Sequence, residues 1–403
     1  MWTDDELLER AKRLDAAMKR HEETEELSPS EYRLHMRFML SRLLRTRLRV
    51  YLDTAYWVRL RDCELGRPRS KQDEALYSLL ARAVKQRLVA VPVTEPLLRE
   101  TLRQNVGTTR AATAAVVDRI SYNVALAGAR ARAIHEVNDW YSALAGEESV
   151  GNDFFYWTWA AHLFGEMRPK VTMDDENLAA RLEKAIEDEM ATTPFSSIVE
   201  QLYRDETEFD DSWARMAEEN NRLKQTVWDP AMSFSEVFLE ECQGYWNSMW
   251  PFFMEHAENI LRKAPFLKGS ETEEQLFDHT SRLLIASIQL DQLGVFLPGM
   301  QIHAGANAAI RTQQGRQFKP GDAEDHYHAI AALPHCDIFA TDRSSRHLLT
   351  TKPLELDRRF QCQVVASSEE LVESLEQRLT ANANKATPTD AEARLRQRAG
   401  TTE

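Results

Sequence analysis

Apolar residues along this chain fall into three regimes, and the changes between them predict how it is organised. Residues 4–22 and 29–45 repeat their apolar positions at helical spacing. The second run opens on Ser28-Pro29-Ser30-Glu31, a capping box with proline at the first helical position. LRVYLD at 48–53 is the first β-rich apolar run and predicts a strand. An amphipathic helix over 71–86 follows, with Leu76, Leu79, Leu80 and Val84 on one face. RLVAVPVT at 87–94 predicts a second strand and EPLLRETLRQ at 95–104 a second helix. Strand, helix, strand, helix in that order is the beginning of a parallel α/β sheet.

Between about 111 and 310 the alternation stops and long helical patterns take over, from AATAAVVDRISYNVALAGARARAIHEVNDWYSAL to EEQLFDHTSRLLIASIQLDQL. DFFYWTWAAHLFGEM at 153–167 is the most apolar stretch; it is too short to span a bilayer and predicts a buried helix. The acidic DETEFDD at 205–211 predicts a solvated face or loop. After 310 a polar loop leads into a short helix, DHYHAIAAL, a strand, CDIFATD, a helix near 344–349, a last strand, QCQVVAS, and the helix SEELVESLEQRL. Neither α/β piece is large enough to stand alone. The predicted fold is therefore an α/β parallel sheet flanked by helices and interrupted by a large all-α insertion. Its parts are N-terminal helices at 1–46, sheet segments at 47–110 and 311–381, the insertion at 111–310, and a disordered tail at 382–403, which has little apolar content.

The composition adds three exclusions. A formal net charge of −14 argues against wholesale non-specific nucleic-acid binding, although a local basic groove survives that test. The four cysteines, Cys63, Cys242, Cys336 and Cys362, are scattered without CxxC spacing and predict reduced thiols in a cytoplasmic protein. The first 26 residues are charged throughout, without the apolar core of a signal peptide, and no membrane association is expected.

The chemistry concentrates at strand ends. Asp53 ends the first strand, Glu100 lies on the helix after the second, Asp325 starts the helix before CDIFATD, and Asp342 ends that strand. Ligand sites of open parallel sheets form outside the carboxyl ends of the strands, so these four acids are expected to converge. Carboxylates gathered without matching arginines repel one another unless cations neutralise them. All-oxygen ligands select Mg²⁺ or Mn²⁺, and paired ions suit attack of water on a phosphodiester.

The segments VYLDTAYW, VPVTEPLLRETL, DHYHAIAALPHCDIFATDR and a final strand followed by SEELVESL resemble the PIN domain family. Asp53 with Thr54 matches that family's first element and Thr94 with Glu100 its second; Asp325 with Ala329, Ala331 and Ala332 matches the third, and Thr341 with Asp342 the fourth. The resemblance covers roughly 47–110 and 315–378 and departs from the family pattern in placing Asp342 directly after Thr341. It implies a PIN-like fold and a Mg²⁺- or Mn²⁺-dependent endoribonuclease, of a toxin or defence kind, with Asp53, Glu100, Asp325 and Asp342 as catalytic metal ligands and RNA as substrate. DNA is the alternative substrate. The insertion would cover the site, select RNA, or hold a regulatory partner or a second copy of the chain.

Other residues divide between substrate contacts and plain structure. Thr54, Thr341, Arg343, Arg346 and His328 are candidates for touching substrate; Arg99, Arg103 and Arg110 would extend a basic rim. His326, His328, His335 and His347 near Cys336 form no HxxxH or HExxH arrangement and so argue poorly for zinc. The aromatic-rich YWNSMWPFF predicts core. Two rival functions stand beside the nuclease. One is a non-catalytic PIN-like interaction protein whose insertion binds a partner. The other is a phosphatase with Asp53 as nucleophile, which would want a second aspartate where Ala55 stands.

Overall fold

The computed structural model describes residues 4–22, 27–144, 146, 153–163, 171–203, 212–254 and 272–386. Two helices, α1 (Asp4–Glu22) and α2 (Pro29–Arg45), lead into β1 (Leu48–Leu52), followed by α3 (Thr54–Glu64), α4 (Lys71–Lys85), β2 (Val89–Ala90), α5 (Glu95–Leu102) and α6 (Gly107–Ser121). Next come β3 (Val124–Leu126), α7 (Ala129–Leu144), β4 (Trp157–Trp159), α8 (Glu176–Thr192), α9 (Phe195–Leu202), α10 (Ser212–Thr226), α11 (Phe234–Met254), α12 (Glu273–Gln289) and α13 (Leu293–Phe296). The chain finishes with α14 (Pro298–Thr312), α15 (Pro320–Ala332), β5 (Ile338–Ala340), α16 (Arg343–Thr350), α17 (Leu356–Arg359), β6 (Gln363–Val365) and α18 (Ser368–Ala386). The fold is mixed α/β and mostly helical.

The four parallel strands lie in the order β2-β1-β5-β6. Leu48, Val50 and Leu52 point into one apolar cluster with Ile338 and Ala340, whereas Tyr51 and Phe339 point into another. Both faces are thus covered, which explains why β1 is a continuous apolar run rather than an alternating one. Helices α3 to α6, α9 and α18 cover the first face, and α2, α14, α15 and α16 the second. A third cluster, around Trp140, Trp246, Trp250 and Phe253, joins α7 to α11, α12, α13 and α14. The aromatic run on α11 is core, as its spacing predicts.

The expectation of an all-helical stretch after 111 is corrected at two points. Tyr122 and Asn123 take positive φ, ending α6 in a left-handed cap, and Val124–Leu126 then pairs antiparallel with Trp157–Trp159. The WTW segment is therefore a strand and not a helix. A short apolar run has no decisive periodicity, and its aromatics and Thr158 favour pleated backbone.

The second predicted strand also contracts. Pro92 supplies no N–H, so regular pairing with β1 stops at Ala90; Val93 then exchanges hydrogen bonds with Val124 and Leu126 instead. The helix before β5 begins at Pro320, not at Asp325, because proline suits a first turn; Asp325 accordingly sits in the second turn. Residues 382–386, expected to be disordered, complete α18, while 387–403 and the acidic 205–211 lie outside the described residues. Among the described residues no helix is long and apolar enough to cross a membrane, and all four cysteines are free thiols.

Candidate functional site at the carboxyl edge of the sheet

Strand order reverses direction at β1 and β5. From β1 the chain moves to β2 on one side, and from β5 to β6 on the other. The crevice between those two carboxyl ends is the position where open α/β sheets bind ligands. Leu52 pairs with Ala340, the Asp53 amide donates to the Ala340 carbonyl at 3.0 Å, and the sequence then delivers Asp53 and Thr341-Asp342 to that crevice.

Each strand-end aspartate also caps the helix that follows it. One Asp53 oxygen accepts from the Tyr56 amide at 3.3 Å, and Asp342 Oδ1 accepts from the amides of Ser344 at 2.5 Å and Ser345 at 3.1 Å. Capping occupies one oxygen of each side chain. Asp53 is buried and also takes a hydrogen bond from the Thr341 hydroxyl, whereas Asp342 is exposed at the mouth of the crevice.

Ser345, which the sequence reading did not single out, joins two of the acids. Its hydroxyl oxygen stands 2.8 Å from Asp325 Oδ2 and 2.8 Å from Asp342 Oδ2. A hydroxyl has one proton to give, so it satisfies only one carboxylate while both are ionised. The second oxygen calls for a proton or a cation.

Glu100 stands on the other side. Its Oε2 accepts from the Thr54 hydroxyl and lies 3.3 Å from His328 Nε2; His328 Nδ1 is 2.7 Å from the Tyr51 hydroxyl, which is 2.9 Å from Thr94 Oγ1. Facing a carboxylate, Nε2 carries hydrogen, so in the neutral ring Tyr51 donates to Nδ1 and Thr94 to Tyr51. This buried chain fixes the rotamer of Glu100. His328, a candidate for touching substrate, is turned to Glu100, and its charge also reaches Asp53 and Asp325.

The electrostatics follow from burial without a balancing base. Burial pushes the Asp53 carboxyl up to about 6, against the lowering effects of His328 and of hydrogen bonds from Thr341 and Tyr56. Burial likewise raises Asp325 to about 6, opposed by Ser345 and reinforced by the charge of Asp342. For His328, burial lowers and the Glu100 hydrogen bond raises; with the charges of Glu100, Asp53 and Asp325 the net shift is upward. The opposite edge of the sheet is built differently: Asp337, just before β5, is gripped by the Arg49 guanidinium at 2.9 and 3.1 Å and by the Arg49 amide at 2.7 Å. Among the described residues, no lysine or arginine pairs with Asp53, Glu100, Asp325 or Asp342.

Neighbouring acids and bases have other partners. Glu95 pairs with Arg99 and accepts from the Ala129 amide at 3.1 Å; Asp322 pairs with Arg316, and Glu324 with Arg103. Arg110 lies over the Tyr203 ring, and Arg346 is bound to Glu370 at 2.6 Å. The basic rim expected from Arg99, Arg103 and Arg110 is thus engaged internally, and Arg346 is drawn away from the carboxylates. Arg343 remains exposed beside Asp342.

The four predicted acids therefore reach one edge and share hydroxyl and imidazole partners. No three of the His, Cys, Asp and Glu side chains among the described residues stand close enough to form a ready-made metal-ligand group. Their oxygens are directed to Ser345, Thr54, Thr341 and the helix amides. Among the described histidines, His326 and His335 are buried, with His335 against Tyr156. The chain matches no family model, no curated protein and no solved structure.

Proposed function

We propose that the chain is a metal-dependent nuclease with RNA as its substrate. The observation that carries this reading is the contrast between the two ends of the sheet. Asp337 at the amino edge has its arginine, whereas Asp53, Glu100, Asp325 and Asp342 at the carboxyl edge share only hydroxyls, amides and one histidine. Asp53 and Asp325 are buried without a basic partner and burial lifts both to about 6, and perturbed carboxyls of this kind in a crevice mark candidate functional sites.

In donor chemistry the set suits a hard divalent cation, being oxygen-rich and in excess of negative charge. Asp53, Asp325, Asp342 and Glu100 would hold Mg²⁺ or Mn²⁺, and the ion would supply Lewis acidity and an acidified water for phosphodiester hydrolysis. The protein's own contribution is positional. Ser345 holds Asp325 and Asp342 at one spacing, and Thr54 with His328 fixes Glu100. Arg343 at the exposed mouth offers a planar donor to a phosphate. The PIN-like assignment belongs to the same proposal, as does an interruption of the domain over 111–310.

Asp53→Asn is the decisive variant, because asparagine keeps the helix cap and removes the charge. Single-stranded RNA should be cut by the wild type with Mn²⁺ or Mg²⁺ and not with EDTA, and Asp53→Asn and Asp325→Asn should lose that cleavage by at least about a hundredfold. Undiminished cleavage in Asp53→Asn removes the assignment. The rival reading, a non-catalytic interaction protein, draws on the absence of a ready-made ligand group among the described residues. It predicts no cleavage by the wild type and no Mn²⁺-induced rise in melting temperature.

A further inference from the structure

Behind Glu100, helices α5, α7, α10, α11, α14 and α15 enclose a cavity of about 530 Å³. That is the size of a small-molecule site. Its walls are mainly apolar and aromatic, with Trp213, Tyr245, Phe252 and Tyr327 among them. Arg132 on α7 lines it and is only 1% exposed. One guanidinium nitrogen, Nη1, donates to the Ala127 carbonyl, while Nε and Nη2 are buried without a hydrogen-bond partner. Those two nitrogens form one edge of the planar fork, the edge that takes a carboxylate or phosphate through two parallel bonds.

Arginine does not shed its proton, so a buried guanidinium with an empty edge is costly unless something answers it. None of the acids on the cavity wall hydrogen-bonds that edge. Glu95 pairs with Arg99, Asp322 with Arg316, Glu324 with Arg103, and Glu100 with His328 and Thr54. Glu136, one turn along α7, lies within the field of Arg132 but gives its oxygen to the Gly299 amide at 3.0 Å and makes no hydrogen bond to the guanidinium; burial pushes its carboxyl up to about 8 against the lowering effects of that amide and of Arg132. His326, also on the wall, is a second residue with a buried polar atom, Nε2, that has no hydrogen-bond partner.

We propose that this cavity binds a small molecule with a flat apolar body and a single anionic group, the anion seated on the Nε–Nη2 edge of Arg132 and the ring between the aromatic walls. Phosphate and carboxylate share the chemistry that the arginine recognises, as in a nucleoside monophosphate or an aromatic acid. The inference does not depend on the nuclease reading.

The test is calorimetric titration of the full chain in EDTA, so that no cation bridges a phosphate to the carboxylate edge. The probes are AMP, UMP and indole-3-carboxylate, with adenosine, uridine and indole as their uncharged counterparts. At least one anionic probe should bind with a Kd below about 1 mM and at least about tenfold tighter than its counterpart. Preference for the nucleotides or for the aromatic acid identifies the source of the anion. Arg132→Lys keeps the charge and loses the fork, and should weaken that probe by about tenfold or more. Met216→Trp, at an exposed position on the rim, should block entry without touching the core. Should Arg132→Lys fail to fold, the anion preference and Met216→Trp still decide. Absence of binding by every probe, equal binding of charged and uncharged partners, or full affinity in Arg132→Lys or Met216→Trp overturns the proposal.

Discussion

At the scale of single residues, the carboxylate edge opposes stability. Asp53 rises from 3.8 to about 6 through burial, which corresponds to about 3 kcal/mol between its ionised and neutral forms. The sign follows from linkage. A carboxyl with a raised folded pKa holds its proton more tightly in the folded state, so its contribution is greatest below the unfolded value and is lost as pH climbs through about 6. Asp325 is shifted in the same direction and acts in the same window, while His328, raised from 6.5, acts with the same sign above that pH. Asp53→Asn, neutral at every pH and still a capping residue, should therefore be more stable than the wild type by about 1–3 kcal/mol near pH 8. The gain should vanish near pH 4. Urea denaturation at the two pH values in EDTA measures it. An Asp53→Asn variant less stable than the wild type at pH 8 would show the aspartate to be a structural cap and little else.

The elements show which parts of this arrangement were legible beforehand. β1 and β5 could be read because both are continuous apolar runs ended by an aspartate, and a strand buried on both faces leaves that trace. The convergence of Asp53 and Asp342 followed from strand adjacency alone. Ser345 could not be foreseen, because its role depends on α15 and α16 meeting in space, and a serine in the first turn of a helix carries no signal of that. The acid partners of Arg99, Arg103 and Arg346 were illegible for the same reason: packing decides which acids hold them. The β3–β4 ribbon was hidden by two non-glycine residues in left-handed conformation, Tyr122 and Asn123, which a helical pattern reads straight through.

Between β3 and α7 lies Gly128, where the ribbon approaches helix α5. A Cβ there would come within 2.2 Å of the Leu163 carbonyl oxygen and 3.3 Å of Glu95 Oε2. Backbone cannot yield as a side chain does, so Gly128→Ala should cost about 2–3 kcal/mol, in the range of overpacked sites. Gly315→Ala, where the added methyl meets nothing within 4 Å, is the control and should change stability by less than about 0.5 kcal/mol. Equal melting temperatures for the two variants would mean that the junction is slack.

For the molecule as a whole, the question is whether the sheet can exist without the 200 residues between its halves. The apolar cluster on the first face of the sheet takes Ala114, Val116, Val117 and Ile120 from α6, Ala160 and Leu163 from beyond β4, and Phe195 and Val199 from α9, all fully or nearly fully buried. On the other face Trp157 and Ala217 pack with Tyr51 and Phe339. Removing 111–310 would strip both faces, and each large apolar side chain returned to water forfeits about 1.5–3 kcal/mol. Domains of this kind are stable by only about 5–15 kcal/mol in total, so loss of a few such residues is enough. Joining residue 110 to residue 311 through a flexible linker should therefore give an insoluble or expanded chain without cooperative thermal unfolding. The third cluster, around Trp140 and Trp246, joins α7 and α11 to α14 and takes no side chain from the strands. A cooperatively folded product from the 110–311 join, seen as a sharp thermal transition with retained far-ultraviolet dichroism, would mean that the sheet is a self-sufficient domain and the helices between are a true insertion.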